Sequence, residues 1–545
     1  MPSSSATQRT MLIAEILGNI FEQSETVDQV RIAHVCKSWC DIATRIIWRQ
    51  VQGAEVLFRL LAPLTVWGGK TVFSRALTAR DWDRFDYYAC RVHVLVLISH
   101  HSVALHPSLI AEISAMRGPS NLLPNLRCLK LDPSTAYCAH IFLNLTIASV
   151  YILRPQTNCN LVGPLISSLP TKTPRLKRLC FEADAFSEPP LGTRMEEVLA
   201  VALRGLSSLI FLELPTWWLT FPILHAAATC PKLSELGSKQ LPHCRSTSNH
   251  IDASRFEHLF SSAPPPSGGF PSLRSLETCV PFLRTRSVFS QQDYFSVLSY
   301  LNIMSPCFET PHQYGALLAA LPNCCPNLTV LVLRTIRSTT SQHDSVTFTE
   351  LSPILRMKTV EVLDIHHSMP FQLVTEDVVA ICQALPYLAA LSLNPNPGFE
   401  GATTLNVSVL WALRGLCPDL ETLELYLDTL EDQIPQSGDE YGRAISGSAG
   451  FENLLDLRVS SPSPLSSPIP LAIYLSRVVP PFCSFEFLST HDDDDARNWE
   501  EVERLIPAFR QVREEGIRVG PFHRARTPPR PSGTVLDILS WPWEC

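Results

Sequence analysis

Two stretches decide the fold: Leu388-Ala389-Ala390-Leu391-Ser392-Leu393 and, further on, Leu420-Glu421-Thr422-Leu423-Glu424-Leu425. Both spell the phrase L-x-x-L-x-L, whose second half alternates apolar and outward positions as a short strand does. The phrase recurs at Leu126, Leu129, Leu131; at Leu209, Leu212, Leu214; and at Leu328, Leu331, Leu333. Conservative copies replace Leu by Val, Ile or Phe, as at Val360, Leu363, Ile365 and at Leu454, Leu457, Val459. The central residues of the later copies fall at 301, 331, 363, 391, 423, 457 and 485, in steps of 30, 32, 28, 32, 34 and 28 residues. Apolar stretches with helical spacing lie between them, such as Val378 to Leu385 and Val407 to Leu416. The repeating unit is strand, turn, helix, turn. One such unit cannot bury both of its apolar faces, so neighbours must stack, with parallel strands on one side and helices on the other. Cys230-Pro231, Cys325-Pro326 and Cys417-Pro418 stand just before their strands, where Pro ends the helix and the small Cys packs in the turn.

The pattern resembles the leucine-rich-repeat family, in the longer, Cys- and Pro-punctuated form found behind F-boxes, across residues 90–490. That resemblance implies an α/β solenoid, strands inside and helices outside, and says little about function. An ordinary α/β domain with Leu-rich strands is the alternative.

Composition bounds the function classes. Among 545 residues, 46% are apolar, which excludes wholesale disorder. Lys and Arg number 44 against 52 Asp and Glu, a net charge of -8, which argues against nucleic acid or an anionic membrane as a general partner. The 17 cysteines include no C-x-x-C pair, so neither a zinc ribbon nor a thioredoxin-type site is announced. No leader and no run of the roughly 20 apolar residues needed to span a bilayer are legible, so the expected setting is reducing, cytoplasmic or nuclear.

Residues 11–50 differ in kind. Leu12, Glu15, Ile16, Leu17, Ile20 and Phe21 lie at helical spacings, a polar turn follows, and two further apolar series end at Trp39 and Trp48. Three short amphipathic helices in about 40 residues make too small a core to stand alone. These residues resemble an F-box: Leu12-Ile13-Ala14-Glu15-Ile16-Leu17, then Ile20-Phe21, then Val35-Cys36-Lys37-Ser38-Trp39, then Ile47-Trp48, with Ile13 where that family usually has Pro. The resemblance, closest in style to large fungal F-box families, implies that Leu12, Glu15, Ile16, Ile20, Phe21, Val35, Cys36 and Trp39 bind a Skp1-like adaptor and, through it, a cullin. A trio that merely caps the first repeat is the alternative.

The expected organisation is a disordered amino terminus (1–10), the F-box-like domain (11–50), linker and capping helices (51–89), the solenoid (90–490), an acidic loop with a terminal helix (491–515), and a flexible basic tail with an apolar end (516–545).

Other signals are weak. Gly68-Gly69-Lys70-Thr71 lacks the earlier Gly of a phosphate loop, Leu64 standing there, and reads as a turn. His100-His101 and His366-His367 have no second ligand set and read as surface and turn histidines. Asp492 to Asp495 lack the Gly and Glu of a calcium loop and read as a solvated acidic loop. No catalytic motif, metal site or cofactor site is announced, so the chain is expected not to be an enzyme.

These readings imply a substrate receptor of a ubiquitin ligase, with a protein as its target. A repeat scaffold with no ligase role is the alternative. The residue between the last two apolar positions of each phrase faces away from the leucines, and in order these are Lys130, Cys180, Glu213, Glu277, Asn302, Val332, Asp364, Ser392, Glu424 and Arg458. Glu213, Glu277, Asp364 and Glu424 are thus expected to form an acidic target-binding wall suited to a basic segment, from a target or from the chain's own Arg524 to Arg530.

Overall fold

The computed structural model describes residues 14–98, 104–117, 121–154, 159–182, 192–238, 269–289, 294–335, 344–398, 401–430, 434, 451–488 and 493–518. The expected disordered start, Leu12, His100-His101, the Arg524 to Arg530 stretch and the apolar end lie outside these residues. The described residues up to Ser238, with Phe270 to Ser272, belong to one compact unit, and those from Leu273 onward belong to a second.

The first unit opens with three helices, α1 (Ala14–Glu22), α2 (Thr26–Ile32) and α3 (Lys37–Ile47). Its strands are Gln50–Gln52, Val94–Leu97, Cys128–Leu131, Ser149–Leu153, Arg178–Glu182, Phe211–Glu213 and Glu235–Gly237, each parallel to the next. The register aligns Val51, Leu95, Leu129, Val150, Leu179, Leu212 and Leu236, all buried. Parallel neighbours need a crossover, and the apolar stretches between strands supply it, as in the helices Cys159–Lys172 and Thr193–Gly205.

The second unit repeats the design with Ser275–Thr278, Tyr300–Ser305, Val330–Thr335, Val362–His366, Ala390–Leu393, Thr422–Tyr426, Asp456–Ser460 and Ser484–Phe487. Leu276, Leu301, Leu331, Leu363, Leu391, Leu423, Leu457 and Phe485 stand in one register row. Leu331, Leu363, Leu391 and Leu423 are each 0% exposed, the single column the repeat phrase demands. Both units are therefore leucine-rich-repeat-like solenoid segments.

Short side chains tie each repeat to the one before. The Asn that precedes the first Leu of the phrase donates Nδ2 to a carbonyl one repeat back: Asn125 to Cys90, Asn327 to Ser296 and Asn453 to Pro418, at 2.7 to 2.9 Å. The Cys of two Cys-Pro pairs does the same at the end of the preceding helix. Cys230 Sγ donates to Leu203 O and Cys417 Sγ to Cys382 O. Both carbonyls lie in the last turn of a helix, where C=O groups run out of intrahelical donors; Leu203 O also accepts from Leu206 N.

Three boundaries need correction. The first strand begins at Gln50, not near residue 90, because the backbone of Gln50–Gln52 pairs in parallel with Val94, Leu95 and Val96 and buries Val51. Residues 51–89 are not only linker and helices: they hold the hairpin Leu64–Trp67 with Lys70–Phe73, turned by Gly68 and Gly69 at φ 56° and 76°, which favours glycine at both. Asp495 is not in a solvated loop. It lies in the helix Asp493–Arg518, 1% exposed, and accepts from Leu465 N at 2.8 Å. That helix closes the second unit by stacking Trp499 on Phe487, with ring centroids 3.6 Å apart.

Candidate functional site

Helix α1 carries two adjacent apolar stripes. Leu17 and Phe21 are each 2% exposed and form a small core with Ala43 of α3, against which Ile32, Ala33, Trp39, Ile42, Ile46 and Ile47 pack. Phe21 and Trp39 meet edge to face, with centroids 5.3 Å apart. The neighbouring stripe, Ile16 and Ile20, is exposed, and so are Val27 and Val30 on α2 and Val35 in the turn before α3. Five aliphatic side chains in solvent on so small a domain exceed the scattered apolar residues that ordinary surfaces carry.

The turn between α1 and α2 is held by Gln29, whose buried amide donates to Phe21 O at 2.9 Å, which also accepts from Ser24 N, and to Ser24 O at 3.0 Å. The trio is also fastened to the first repeats. Trp48 stacks on Tyr88 at 4.4 Å, Arg49 pairs with Glu22, and Arg91 bonds Asp41, holding that carboxyl below its usual range. The exposed stripe therefore sits on an anchored platform.

Of the expected adaptor-binding residues, Glu15, Ile16, Ile20, Val35 and Cys36 are exposed on the trio. Phe21 is corrected: it is core, because the α1 turn that exposes Ile20 directs Phe21 onto Ala43. Trp39 is half-buried against it. Val27 and Val30 are exposed on α2 as well, at an i, i+3 spacing that sets them apart from Ile32 and that the sequence already carries.

The expected target-binding acids occupy the face of the strands opposite the leucines. In the second unit the row runs Glu277, Asn302, Val332, Asp364, Ser392, Glu424, Arg458, Glu486 in strict register. Glu213 stands in the first unit beside Cys180 and Gly237 and is 3% exposed. The open acidic wall is corrected, because the acids are engaged from within. Asp364 pairs with Arg334 and His366, and Glu424 with Arg458. Burial acts to raise the Asp364 carboxyl, and the contacts from His366 and Arg334 outweigh it and hold it below its usual range. On the same face Val330, Val332, Val362 and Ala390 form a buried cluster with Tyr300 packed on it.

His367 also differs from expectation. It is 3% exposed; Nε2 donates to Glu309 O at 3.0 Å, and Nδ1 lies 3.1 Å from Met369 N and 3.2 Å from Met369 O.

Residues 14–52 match the family described as F-box-like, and the chain carries an F-box-like domain there. No curated protein matches the chain. Among solved structures it is similar to an internalin from Listeria monocytogenes (14% identity, 62% of this chain and 87% of that one, TM-score 0.27). It is also similar to the Rad7 and Elc1 complex in yeast (14%, 83% and 88%, TM-score 0.32). A third is the complex of TLR13 with ssRNA13 (13%, 72% and 60%, TM-score 0.31). At such scores the strand register, and not these likenesses, defines the fold. Among the described residues no helix is long and apolar enough to cross a membrane.

Proposed function

We propose that this chain is the substrate-recognition subunit of a Skp1-cullin-F-box-type ubiquitin ligase. The trio binds a Skp1-like adaptor through Ile16, Ile20, Val27, Val30 and Val35, and the repeats bind the protein to be modified. The observation that carries this reading is the exposed aliphatic stripe within the residues that match an F-box-like domain. The chain itself is not catalytic. Its contribution is proximity: a rigid repeat surface holds the target beside a charged ubiquitin carrier and raises the effective concentration of the reacting groups.

Affinity purification of the full chain, followed by mass spectrometry, tests this. Adaptor and cullin peptides should accompany the wild type and be lost from the variant Ile16→Asp/Ile20→Asp. Their absence from both would leave a repeat scaffold with no ligase role.

A further inference from the structure

The acids expected to dominate the strand face of the second unit are its inner layer. The Asp364 side chain is 4% exposed; Arg334 of the preceding strand bonds its Oδ2, and His366 Nε2 lies 2.8 Å from Oδ1. The Glu424 side chain is 15% exposed; Oε1 accepts from Arg458 Nη1 at 2.7 Å and Oε2 from Ser392 Oγ at 2.8 Å. Three of these four carboxylate oxygens accept a hydrogen bond, and the fourth, Asp364 Oδ1, is buried beside His366. Arg334 and Arg458, each 34% exposed, form the outer layer, with His366 24% exposed beside them.

Both guanidinium groups keep donors in reserve. Arg334 bonds its acid through Nη2, which leaves Nη1; its Nε is buried and has no hydrogen-bond partner. Arg458 uses Nη1 on Glu424 and Nε on Glu486, which leaves Nη2. An arginine already fixed by an acid loses little further freedom on meeting a second carboxylate, and its planar fork matches that group. Arg334 and Arg458 lie four strands apart, about 19 Å at the usual strand spacing. An extended segment of about six residues covers that distance.

We propose that this face recognises an acidic segment of the target, an extended stretch whose Asp or Glu carboxylates meet Arg334 at one end and Arg458 at the other. The proposal rests on the substrate-receptor reading and names its target class. A basic segment would find the oxygens of Asp364 and Glu424 bonded or buried, which reverses the expectation from counting acids along the row. Glu277 and the exposed Glu486 flank the ladder and confine an acidic ligand to the strands between them.

The test is fluorescence anisotropy of the full chain with labelled peptides of about ten residues, long enough to span the two arginines. One alternates Glu with Ser, one replaces Glu by Gln, one replaces Glu by Lys, and one carries phosphoserine and no Glu. The Glu peptide should bind, more weakly as salt rises, and the Gln and Lys peptides should not. The variant Arg334→Gln/Asp364→Asn/Arg458→Gln/Glu424→Gln replaces both partners of each pair, so that no buried charge is stranded, and should weaken Glu-peptide binding roughly tenfold or more. Arg458→Gln alone, beside a less buried acid, should weaken it by a smaller factor. Unchanged binding in both variants, no binding of the Glu peptide, tighter binding of the Lys peptide, or binding of the phosphoserine peptide alone would overturn the proposal. Adaptor capture by the same preparations separates the two readings. Lost capture with intact peptide binding contradicts the ligase role, and intact capture with no peptide binding contradicts only the recognition of acidic segments.

Discussion

Ile20 and Phe21 are consecutive residues of one helix with opposite surroundings: Phe21 is 2% exposed in the core of the trio, and Ile20 is 46% exposed. One turn earlier Leu17 and Ile16 divide in the same way. A helix advances about 100° per residue, so the two pairs form adjacent stripes, of which the chain itself uses one. Folding and partner binding are thereby assigned to different side chains of the same helix.

Truncation should separate them. Phe21→Ala should destabilise the trio by about 3 to 5 kcal/mol, while Ile20→Ala should change stability by less than about 0.5 kcal/mol. Unfolding followed by the fluorescence of Trp39, which packs on Phe21, reports the difference. Equal losses would mean that both stripes are structural.

Gln29→Ala removes the amide that bridges the turn after α1 and should cost about 1 to 3 kcal/mol, because Ser24 O loses this donor and Phe21 O keeps only Ser24 N. Hydrogen exchange should rise in α1 and α2 ahead of the repeats. Uniform protection would show that the turn does not depend on this residue.

Leu363→Ala opens a cavity in a column whose neighbours Leu331 and Leu391 are equally buried, and should cost about 2 to 5 kcal/mol by denaturant titration. A loss below about 1 kcal/mol would mean that the column is loosely packed.

Glu309 gives the second unit a pH dependence of definite sign. It is 1% exposed; Oε1 accepts from Phe282 N and Ser305 Oγ, and Oε2 has no hydrogen-bond partner. Burial pushes its carboxyl up from 4.5 to about 7, against those two donors. The folded state therefore holds this proton more tightly than the unfolded one. Its contribution is fully present below about pH 4.5 and is lost as pH rises through about 7. Glu309→Gln should flatten that decline, worth about 3 kcal/mol at most. An identical stability profile with pH in wild type and variant would refute the assignment.

The repeats were legible because burial on a strand has period two and each unit returns after about thirty residues, so Leu331 and Leu363 announce each other. Gln50–Gln52 was not legible, since a three-residue strand with one buried valine carries no phrase. The F-box-like pattern locates the trio but does not say which stripe of α1 faces inward, so it offers Phe21 and Ile20 alike as adaptor-binding. The acidic row was legible as a row and misread as a surface. Arg334 meets Asp364 from the neighbouring strand, a pairing 30 residues apart that charge counting along one phrase cannot reveal.

The central claim is that the exposed stripe of α1 and α2 holds an adaptor. Its most direct measurement is titration calorimetry of the full chain with a purified Skp1-type adaptor, comparing wild type with a folded Ile16→Asp/Ile20→Asp variant. Each buried aliphatic side chain contributes about 1.5 to 3 kcal/mol, so the account predicts saturable one-to-one binding by the wild type and a loss of at least a hundredfold in the variant. Equal affinity of the two proteins, with the variant's unfolding unchanged, would contradict it.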